Sequence, residues 1–291
     1  MGGTIGKPAM TLDIPSEWAV LADRLASSSW RRLIVLGQTD VGKSSFLRFL
    51  ARALAARGQT VALLDTDLGQ KMVGPPACVV LALCNDEAEL QVERIRFVGE
   101  TSPAANMAGV IAASARLAAA ALSDRLLINT SGLIAGPGVA LKRWKMEALD
   151  PDQIVALARG DELAPILAPV VATAVHRIAP SPAAWRKSPA ERERNRGSAL
   201  LEALGVRCRL SSPDLLVEDL RRVPVPPDAL RLCGLADKRG EDVGLGPVRW
   251  ADQIEDRLVW TGLVPERLHR LRLGMPLSEF GDLPGAIPHG S

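Results

Sequence analysis

Aromatic side chains are scarce in this sequence, which has 291 residues with four Phe, six Trp and no Tyr. A protein that binds single-stranded nucleic acid by stacking successive bases needs several exposed aromatic side chains. An aromatic content of 3% therefore argues against a multi-base stacking platform. Any contact with nucleic acid is expected to use phosphates instead.

The sequence also lacks a strong net charge, since 35 Lys and Arg residues against 33 Asp and Glu residues give +2. A net charge this small gives a weak overall electrostatic field, so binding of nucleic acid would require a local basic patch. Of the 35 basic residues, 28 are Arg and seven are Lys. Arg forms planar, bidentate contacts with phosphate, although genome composition alone can also enrich it.

Cysteines and long apolar runs are both few. The four cysteines form no CxxC pair, so a zinc site is not expected. The longest apolar runs, at 109–122 and 163–175, are shorter than the ~20 residues of a membrane span and contain Arg116 and two prolines, respectively. The first ten residues lack the apolar core of a signal peptide. We therefore expect a soluble, cytoplasmic protein with no membrane contact.

Apolar runs alternate with stretches of helical periodicity along the chain. Residues 31–37 and 60–65 are predicted to form buried strands, and residues 44–57 a helix that ends at Gly58. This order is a βαβ unit, which requires a parallel sheet. The alternation continues with predicted strands at 79–83, 95–99, 125–130, 153–157 and 170–175 and predicted helices at 16–27, 104–122, 139–149 and 188–204.

The segment GQTDVGKS follows the first predicted strand, opens a predicted helix and matches the pattern GxxxxGK[ST]. Its glycines allow the tight turns that let successive N–H groups surround a β-phosphate, and the helix presents its N-terminus to the anion. Lys43 is expected to reach the β- and γ-phosphates, and the Ser44 hydroxyl to bind Mg²⁺. The residues predicted to bind ATP are Gly37, Gln38, Thr39, Asp40, Val41, Gly42, Lys43, Ser44 and Ser45.

This motif in its setting predicts the fold class α/β: a parallel sheet of the P-loop NTPase type, with helices on both faces, plus a small β-rich C-terminal module. After about residue 211 the predicted strands become short, with Gly and Asp between them. We divide the chain into an N-terminal helical segment (1–29), a P-loop domain (30–210) and a small β-rich domain (211–291).

Two aspartates, Asp65 and Asp67, stand at the end of the second predicted strand. Their spacing places both carboxylates on one face, beside the phosphate-binding loop. One can hold Mg²⁺ through water while the other accepts the proton of an attacking hydroxyl, so the pair suggests transfer to an alcohol. The alternative is that one of them caps the following turn. ATP is favoured over GTP, because no Asn-Lys-x-Asp segment is present and neither aspartate has the GTPase spacing to the Gly-Gln pair.

The segment GQTDVGKS followed by DTDLGQ resembles the polynucleotide 5′-hydroxyl kinase family of RNA processing, which includes the kinase subunit of the pre-mRNA cleavage factor and the ribosomal-RNA processing kinase. GPPA at 74–77 and FVGETSP at 97–103 continue the similarity, which runs from about residue 30 to 205. It implies ATP-dependent transfer of the γ-phosphate to the 5′-hydroxyl end of RNA or DNA, with Mg²⁺. The family motif DxDxGQ is matched by Asp65, Asp67, Gly69 and Gln70.

The same resemblance implies a clasp that holds the end of the polynucleotide. The family pattern TxGW is matched by Thr130, Ser131 and Gly132, but Leu133 stands where the family has Trp. In the family that aromatic supports a base near the 5′ end. A weaker hold on the base is therefore expected here, and Trp144 is assigned to helix packing.

It also implies a lid with an RxxxR pair, which Arg192 and Arg196 match. Residues four apart share one face of a helix, so both guanidinium groups can point at the same phosphates. Six basic residues and two Glu give the segment 176–196 a charge of +4, which is the local patch that the net charge conceals. The alternative is a solvated helix with Glu–Arg pairs, each worth a few tenths of a kcal/mol.

The resemblance assigns a role to each matched residue. Lys43, Asp67, Arg192 and Arg196 are the expected catalytic residues, with Asp67 as the base and Asp65 or water as the alternative. The expected Mg²⁺ ligands are Ser44 and Asp65, and the expected polynucleotide contacts are Gln70, Thr101, Ser102, Thr130 and Gly132.

Two other interpretations stay open: a P-loop ATPase acting on a protein partner, and an ATP-binding scaffold without kinase activity. Better-known relatives carry an N-terminal β domain that helps to hold the nucleotide base, whereas about 30 residues precede the loop here. We therefore expect residues 11–29 to cover the adenine, or the base to be held loosely. Binding through phosphates predicts modest sequence preference and strong salt dependence.

Overall fold

The computed structural model describes residues 14–85, 89–203, 207–210, 215–221, 225–226, 229–249, 257–260 and 268–280. Within these ranges, each helix is too short or too polar to span a membrane. The helices are α1 (Ser16–Ala26), α2 (Lys43–Ala55), α3 (Met107–Ala120), α4 (Pro137–Leu149), α5 (Ala164–Leu167), α6 (Pro189–Ala203) and a 3-10 turn at Leu277–Phe280.

Eleven described strands form one mixed sheet, in the order β7-β6-β1-β5-β2-β3-β4-β11-β10-β13-β9, and β8 pairs with β12 separately. The strands are β1 (Arg32–Gly37), β2 (Val61–Asp65), β3 (Cys78–Cys84), β4 (Leu90–Phe97), β5 (Arg125–Asn129), β6 (Gln153–Leu157), β7 (Ala174–Ile178), β8 (Arg207–Leu210), β9 (Leu216–Asp219), β10 (Leu230–Ala236), β11 (Asp242–Arg249), β12 (Arg257–Trp260) and β13 (Arg270–Pro276).

The half of the sheet from β7 to β2 is parallel, which confirms the α/β prediction. The strand β5 lies between β1 and β2 in the sheet. The crossover from β1 through α2 to β2 therefore skips the neighbouring position, which β5 occupies. The strands β3 and β4 run antiparallel, because no helix separates them along the chain. The carboxyl ends of β1, β2 and β5 therefore meet at one edge, where ligands of such sheets bind.

Alternate side chains of β1 pack on opposite faces of the sheet. Leu33 and Val35 belong to the core formed with α1 and α2, whereas Ile34 and Leu36 belong to the core that contains α3, α4 and α5. All four are fully buried. A strand buried on both faces reads as a continuous apolar run, and the prediction of helices on both faces is confirmed.

Two predicted strands are displaced in the structure. The strand predicted at 170–175 lies at Ala174–Ile178, because it pairs with β6 from Gln153 onward and leaves Val171 96% exposed in the preceding loop. The strand predicted at 95–99 begins earlier, at Leu90, and ends at Phe97. Both have partly exposed faces, so their apolar pattern is weak.

The C-terminal strands extend the same sheet. The strand β11 pairs with β4 at Asp242, which accepts a hydrogen bond from the backbone N–H of Phe97 at 3.1 Å. The ring of Phe97 packs against Gly234 and Gly274, where a Cβ atom would come within 2.6 Å of it. The predicted β-rich character of this part is thus observed. The predicted boundary at residue 210 stays a prediction.

Candidate active site

The phosphate-binding loop connects β1 to α2 between Gly37 and Lys43. Asp40 and Gly42 adopt positive φ angles of 61° and 94°, the left-handed conformation that tight turns of a loop use. Lys43 Nζ donates to the carbonyl oxygens of Gly37 at 3.0 Å and Gln38 at 2.6 Å. Burial lowers the pKa of Lys43 to about 8, against the opposing effect of Asp67 and Asp40. Its ammonium group therefore sits at the centre of the loop.

The helix α1 supports this loop from beneath. The indole ring of Trp18 lies 3.0 Å from where a Cβ of Gly42 would stand, so this position has no room for a side chain. The ring meets Phe46 edge-on at a centroid distance of 5.5 Å, and its N–H donates to Ala179 O at 2.9 Å. Trp18 is fully buried and is therefore used in packing. Residues 11–13 of the predicted adenine cover lie outside the described part of the chain.

Asp65 lies below the surface of the site and is fully buried. Its Oδ1 accepts from Asn129 Nδ2 at 2.9 Å and its Oδ2 from the Met72 N–H at 2.7 Å, and Lys71 Nζ lies 3.2 Å from Oδ2. These contacts use both oxygens and tie the end of β2 to β5 and to the following turn. The predicted Mg²⁺ role of Asp65 stays a prediction, and its bonding favours an anchoring role.

Asp67 faces the loop from the end of the same strand. Its Oδ1 accepts from the backbone N–H groups of Gly69 and Gln70, both at 3.0 Å. Asp67 thus caps the turn, which is the alternative that the sequence left open. It also lines the cavity that contains Lys43 and Ser44. Its Oδ2 has no hydrogen-bond donor in the described ranges.

Two cavities meet at the loop, one of about 660 Å³ and one of about 580 Å³. Of the predicted site residues, those that line the first cavity are Thr39, Asp40, Gly42, Lys43, Ser44, Ser45, Asp67, Gln70 and Gly132. The second is lined by Gln38, Thr39, Asp40, Val41, Gly132 and Arg192 from the prediction, and also by Arg159 and Arg186. The structure thus brings the loop, the second strand, the clasp and the lid together.

The predicted lid lies on the phosphate-binding loop. Arg192 Nη2 donates to Asp40 Oδ2 at 2.6 Å, and the backbone N–H of Lys187 donates to the same oxygen at 3.0 Å. Gln70 Nε2 donates to Arg192 O at 3.2 Å. Arg196 lines neither cavity, although it shares a helix face with Arg192. Their Nε atoms are buried without a partner among the described residues.

The clasp is placed beside the loop by close backbone packing. A Cβ atom at Gly132 would overlap the hydroxyl and backbone nitrogen of Thr39. Thr130 is fully buried and donates to Val35 O at 2.8 Å, so its hydroxyl is internal. Thr101 and Ser102 lie outside both cavities. Gly132, which lines both cavities, and Leu133, which lines the second, are therefore the clasp residues that the structure brings to the site.

Sequence reasoning missed three side chains at this site. Trp185, within the basic segment 176–196, is 69% exposed and lines the first cavity. Lys142 and Lys145 are fully buried beneath the loop on α4. Burial lowers the pKa of Lys145 to about 7 and lowers that of Lys142 strongly. Their position among buried apolar residues of α4 was the available signal.

The residues present fit a Mg²⁺ ion bound mainly by phosphate oxygens. Ser44 and Asp67 supply oxygen atoms to the same cavity, and oxygen is the ligand that this ion prefers. A search of the described ranges found no cluster of three His, Cys, Asp or Glu that could hold a metal. A P-loop needs no such cluster, because its ion is held by one hydroxyl, an acidic residue and the nucleotide.

Comparison with known proteins identifies the family. Residues 37–202 match the family described as mRNA cleavage and polyadenylation factor CLP1 P-loop. The chain belongs to this family. The likeness in fold covers more of the chain than the family match does. A solved Clp1p–Pcf11p complex is similar with a TM-score of 0.67, over 88% of this chain and 76% of that chain. At 10% identity, this likeness concerns the fold alone.

Several curated relatives match more closely in sequence. A polyribonucleotide 5′-hydroxyl-kinase of Pyrococcus furiosus is 36% identical over 170 residues, which is 56% of this chain and 48% of that protein. One of Methanocaldococcus jannaschii is 36% identical over 172 residues, or 57% and 48%. The polynucleotide 5′-hydroxyl-kinase grc3 of Schizosaccharomyces pombe is 28% identical over 50% of this chain and 24% of its own. The chain spans about half the length of the curated relatives it matches.

Proposed function

We propose that this protein transfers the γ-phosphate of ATP to the 5′-hydroxyl end of RNA or DNA. The observation that carries the proposal is the cavity in which Lys43, Ser44 and Asp67 meet beside the clasp. A P-loop ATPase needs no carboxylate to accept a proton from an alcohol. Here Asp67 lines the same cavity as Lys43 and Ser44 of the loop, where it could accept that proton. The names of the matched relatives, polyribonucleotide and polynucleotide 5′-hydroxyl-kinases, support the same reaction.

The loop is proposed to hold the nucleotide phosphates. Its backbone N–H groups and Lys43 bind the β- and γ-phosphates at the N-terminus of α2. Lys43 now donates to two carbonyl oxygens of the loop, and phosphate oxygens would take their place. Ser44 is the residue proposed to hold Mg²⁺, which supplies charge neutralisation when it is bound.

Asp67 is proposed as the general base. The 5′-oxygen attacks the γ-phosphorus, the bond from that phosphorus to the β,γ-bridging oxygen breaks, and the hydroxyl proton passes to Asp67 Oδ2. The turn that Asp67 caps fixes Oδ1, so the second oxygen has a defined direction. Proton acceptance by a positioned carboxylate contributes about 10²–10⁴-fold to such reactions.

The lid and the clasp are proposed to complete the site. Arg192 is held over the loop by Asp40, from where its charge can stabilise the transferring phosphoryl group. Arg196, one turn later on the same helix face, is proposed to join it when the lid engages both substrates. Gly132, which packs closely against Thr39 of the loop, and Gln70, which lines the same cavity, are proposed to contact the polynucleotide end.

Transfer from ATP labelled in the γ-phosphate, with Mg²⁺, tests the proposal. The substrates are 5′-hydroxyl RNA and DNA oligonucleotides, single and double stranded. Label on the oligonucleotide is the expected result. Hydrolysis of ATP without labelling would favour an ATPase that acts on a protein partner, and tightly held ATP without turnover would favour a scaffold.

A further inference from the structure

Two buried lysines of α4 have no role in the mechanism above. Lys142 and Lys145 lie one turn apart, and each has a relative exposure of 0%. Lys142 Nζ donates to Ser131 O at 2.6 Å and to Ser131 Oγ at 3.1 Å. Lys145 Nζ donates to Thr66 Oγ1 at 2.7 Å. Lysine is almost never fully buried unless it is paired, yet these ammonium groups contact neutral oxygens.

The partners of the two lysines belong to the segments that form the site. Ser131 is the central residue of the clasp and precedes Gly132, which packs against the loop. Thr66 follows the last residue of β2, stands between Asp65 and Asp67, and donates to Asn129 O at 2.6 Å. Lys142 therefore holds the clasp from below, and Lys145 holds the strand end that carries Asp67.

The charges beneath the site are unbalanced. Asp65 and Asp67 are the acidic groups that act most strongly on Lys145, and Asp67 is the one that acts on Lys142. Three aspartates, Asp40, Asp65 and Asp67, thus lie among four buried lysines, and burial lowers the pKa of three of these lysines, which are Lys43, Lys142 and Lys145. In a desolvated site such charges act over longer distances than at a surface. A bound, multiply charged anion supplies the negative charge that favours the protonated forms of Lys43, Lys142 and Lys145, whereas Lys71, the fourth lysine, is already paired with Asp65.

We propose that Lys142 and Lys145 are positioning residues for phosphate transfer: they fix the clasp and the Asp67 turn from beneath, and their charges complement the bound phosphates. The inference rests on the proposed function. Neither lysine touches a substrate in this arrangement. Each acts through a hydroxyl residue at a strand end, and their effect on phosphate binding is electrostatic.

Methionine variants test the inference, because Met keeps the length of the side chain and removes the charge. Lys145→Met should lower kcat by about tenfold or more through misplacement of Asp67. Lys142→Met should raise the KM for the oligonucleotide by about tenfold through a loosened clasp. Both should weaken ATP binding several-fold. The matched control is Lys238→Met, which removes an exposed lysine from the turn between β10 and β11 and should change nothing.

Stability separates this role from a merely structural one. Methionine removes the cost of burying a charge but leaves an oxygen of Ser131 or Thr66 without its donor, at about 1–3 kcal/mol, so the two effects oppose each other and the Tm of both variants should change little. A structural role predicts a lower Tm, with kcat per folded molecule unchanged. If Lys145→Met fails to fold, Thr66→Val removes the same contact and should lower kcat alike. Where Lys145→Met does fold, combining it with Thr66→Val should lower kcat by less than the product of the two single effects. Both changes remove the contact between Lys145 Nζ and Thr66 Oγ1.

Failure of the inference and failure of the proposed function give different results. Normal kcat, KM and ATP affinity in both Met variants, beside an active parent, would overturn the inference and leave the kinase proposal intact. If the parent transfers no phosphate, the ATP affinities of the parent and of both Met variants, measured by calorimetry, test the inference instead. Weakened ATP binding in both variants would then support the lysine role, and binding equal to the parent would overturn it.

Discussion

Asp65 and Asp67 are two residues apart, yet the fold gives them opposite surroundings. Asp65 is enclosed by Lys71, Asn129 and the backbone of the next turn, whereas Asp67 keeps one oxygen toward the cavity. Alternation along a strand predicts only that both share a face. The division of roles depends on where β2 ends and the chain turns over it.

Asp67→Asn should abolish phosphate transfer, by about 10²–10⁴-fold in kcat, because the amide cannot accept the hydroxyl proton. ATP should still bind, since the loop is intact, and calorimetry can confirm it. Asp65→Asn is the comparison: loss of one partner of a buried ion pair costs about 3–5 kcal/mol, so this variant should lose stability. Near-normal turnover of Asp67→Asn would contradict its role as the base.

Lys145 should give the stability of the protein a specific pH dependence. Burial lowers its pKa to about 7 from the ordinary 10.5, with Asp67 and Asp65 opposing the change and Lys71 adding to it. Between these pH values the unfolded chain binds more protons than the folded one, so stability rises with pH. Relative to Lys145→Met, the parent should gain up to about 1.4 kcal/mol per pH unit above pH 7.

Urea denaturation of the parent and Lys145→Met from about pH 6 to pH 9 measures this difference. The gap between their free energies of unfolding should be level below pH 7 and move in favour of the parent above it. A constant gap over the whole range would mean that the ammonium group keeps its ordinary pKa in the folded protein.

Motif spacing predicted those site residues whose geometry is fixed by their neighbours along the chain. The loop from Gly37 to Ser45 and the turn that begins at Asp67 are of this kind, because their geometry follows from neighbouring residues. Lys142, Lys145 and Trp185 escaped prediction because they reach the site from elsewhere in the fold. Burial of a lysine depends on what covers its helix, which one sequence does not display.

At the scale of elements, the lid is fastened to the phosphate-binding loop. The helix α6 begins with a reciprocal cap: Glu191 N–H donates to Ser188 Oγ at 3.2 Å and Ser188 N–H donates to Glu191 Oε2 at 2.7 Å. Asp40 then accepts from both Arg192 and Lys187. The tether joins the loop that holds phosphates to the helix that is proposed to close over them.

Arg192→Ala should lower kcat by about 10³-fold or more, since charge on the transferring phosphoryl group loses its partner. Asp40→Asn should have a smaller effect, because it weakens the tether and keeps the guanidinium group. Arg52→Ala on α2, an exposed arginine outside both cavities, serves as the control and should keep parental kcat. Steady-state transfer kinetics measure all three, and equal kcat in Arg192→Ala and Arg52→Ala would exclude a catalytic lid arginine.

Elements buried on both faces were the predictable ones. The strand at 153–157 and the strand that ends at Gly37 read as continuous apolar runs, and both lie in the middle of the parallel sheet. The strand β7 at the sheet edge was displaced by four residues in the prediction, because register there is fixed by pairing with β6. Pairing partners are long-range and leave no local signal.

For the whole molecule, the C-terminal strands share their core with the P-loop part. Phe97 of β4, Leu200 of α6 and Leu232 of β10 are buried in one apolar cluster. Asp242 of β11 pairs with Arg272 of β13 at 2.7 Å and, across the junction, with Arg96 of β4 at 3.4 Å. Short strand patterns with Gly and Asp between them predicted a β-rich module, and such local patterns carry no record of which strand edges meet.

Phe97→Ala should destabilise the molecule by about 3–5 kcal/mol, because it empties the space between Gly234 and Gly274. If the two parts unfold together, calorimetry should show one transition that shifts as a unit. Val171→Ala is the control, as this side chain is 96% exposed. Two separate transitions, of which one keeps its parental Tm, would instead support the boundary predicted near residue 210.

The net charge and the scarcity of aromatics acquire a structural meaning at this scale. The +2 charge of the chain conceals Arg159, Arg186 and Arg192 around the second cavity, Lys43 in the loop, and three buried lysines below it. Trp185 is a large aromatic at the first cavity, so a single base rather than a row of bases can be contacted. The proposed recognition of a strand end through its phosphates and sugar is consistent with this arrangement.

The most direct test of the central claim compares two strands of one sequence, one with a 5′-hydroxyl and one with a 5′-phosphate, as acceptors from γ-labelled ATP and Mg²⁺. The kinase account predicts label at the 5′ end of the first strand and none on the second, with mass spectrometry locating the added phosphate. Equal labelling of both strands, or ATP hydrolysis with neither strand labelled, would contradict it.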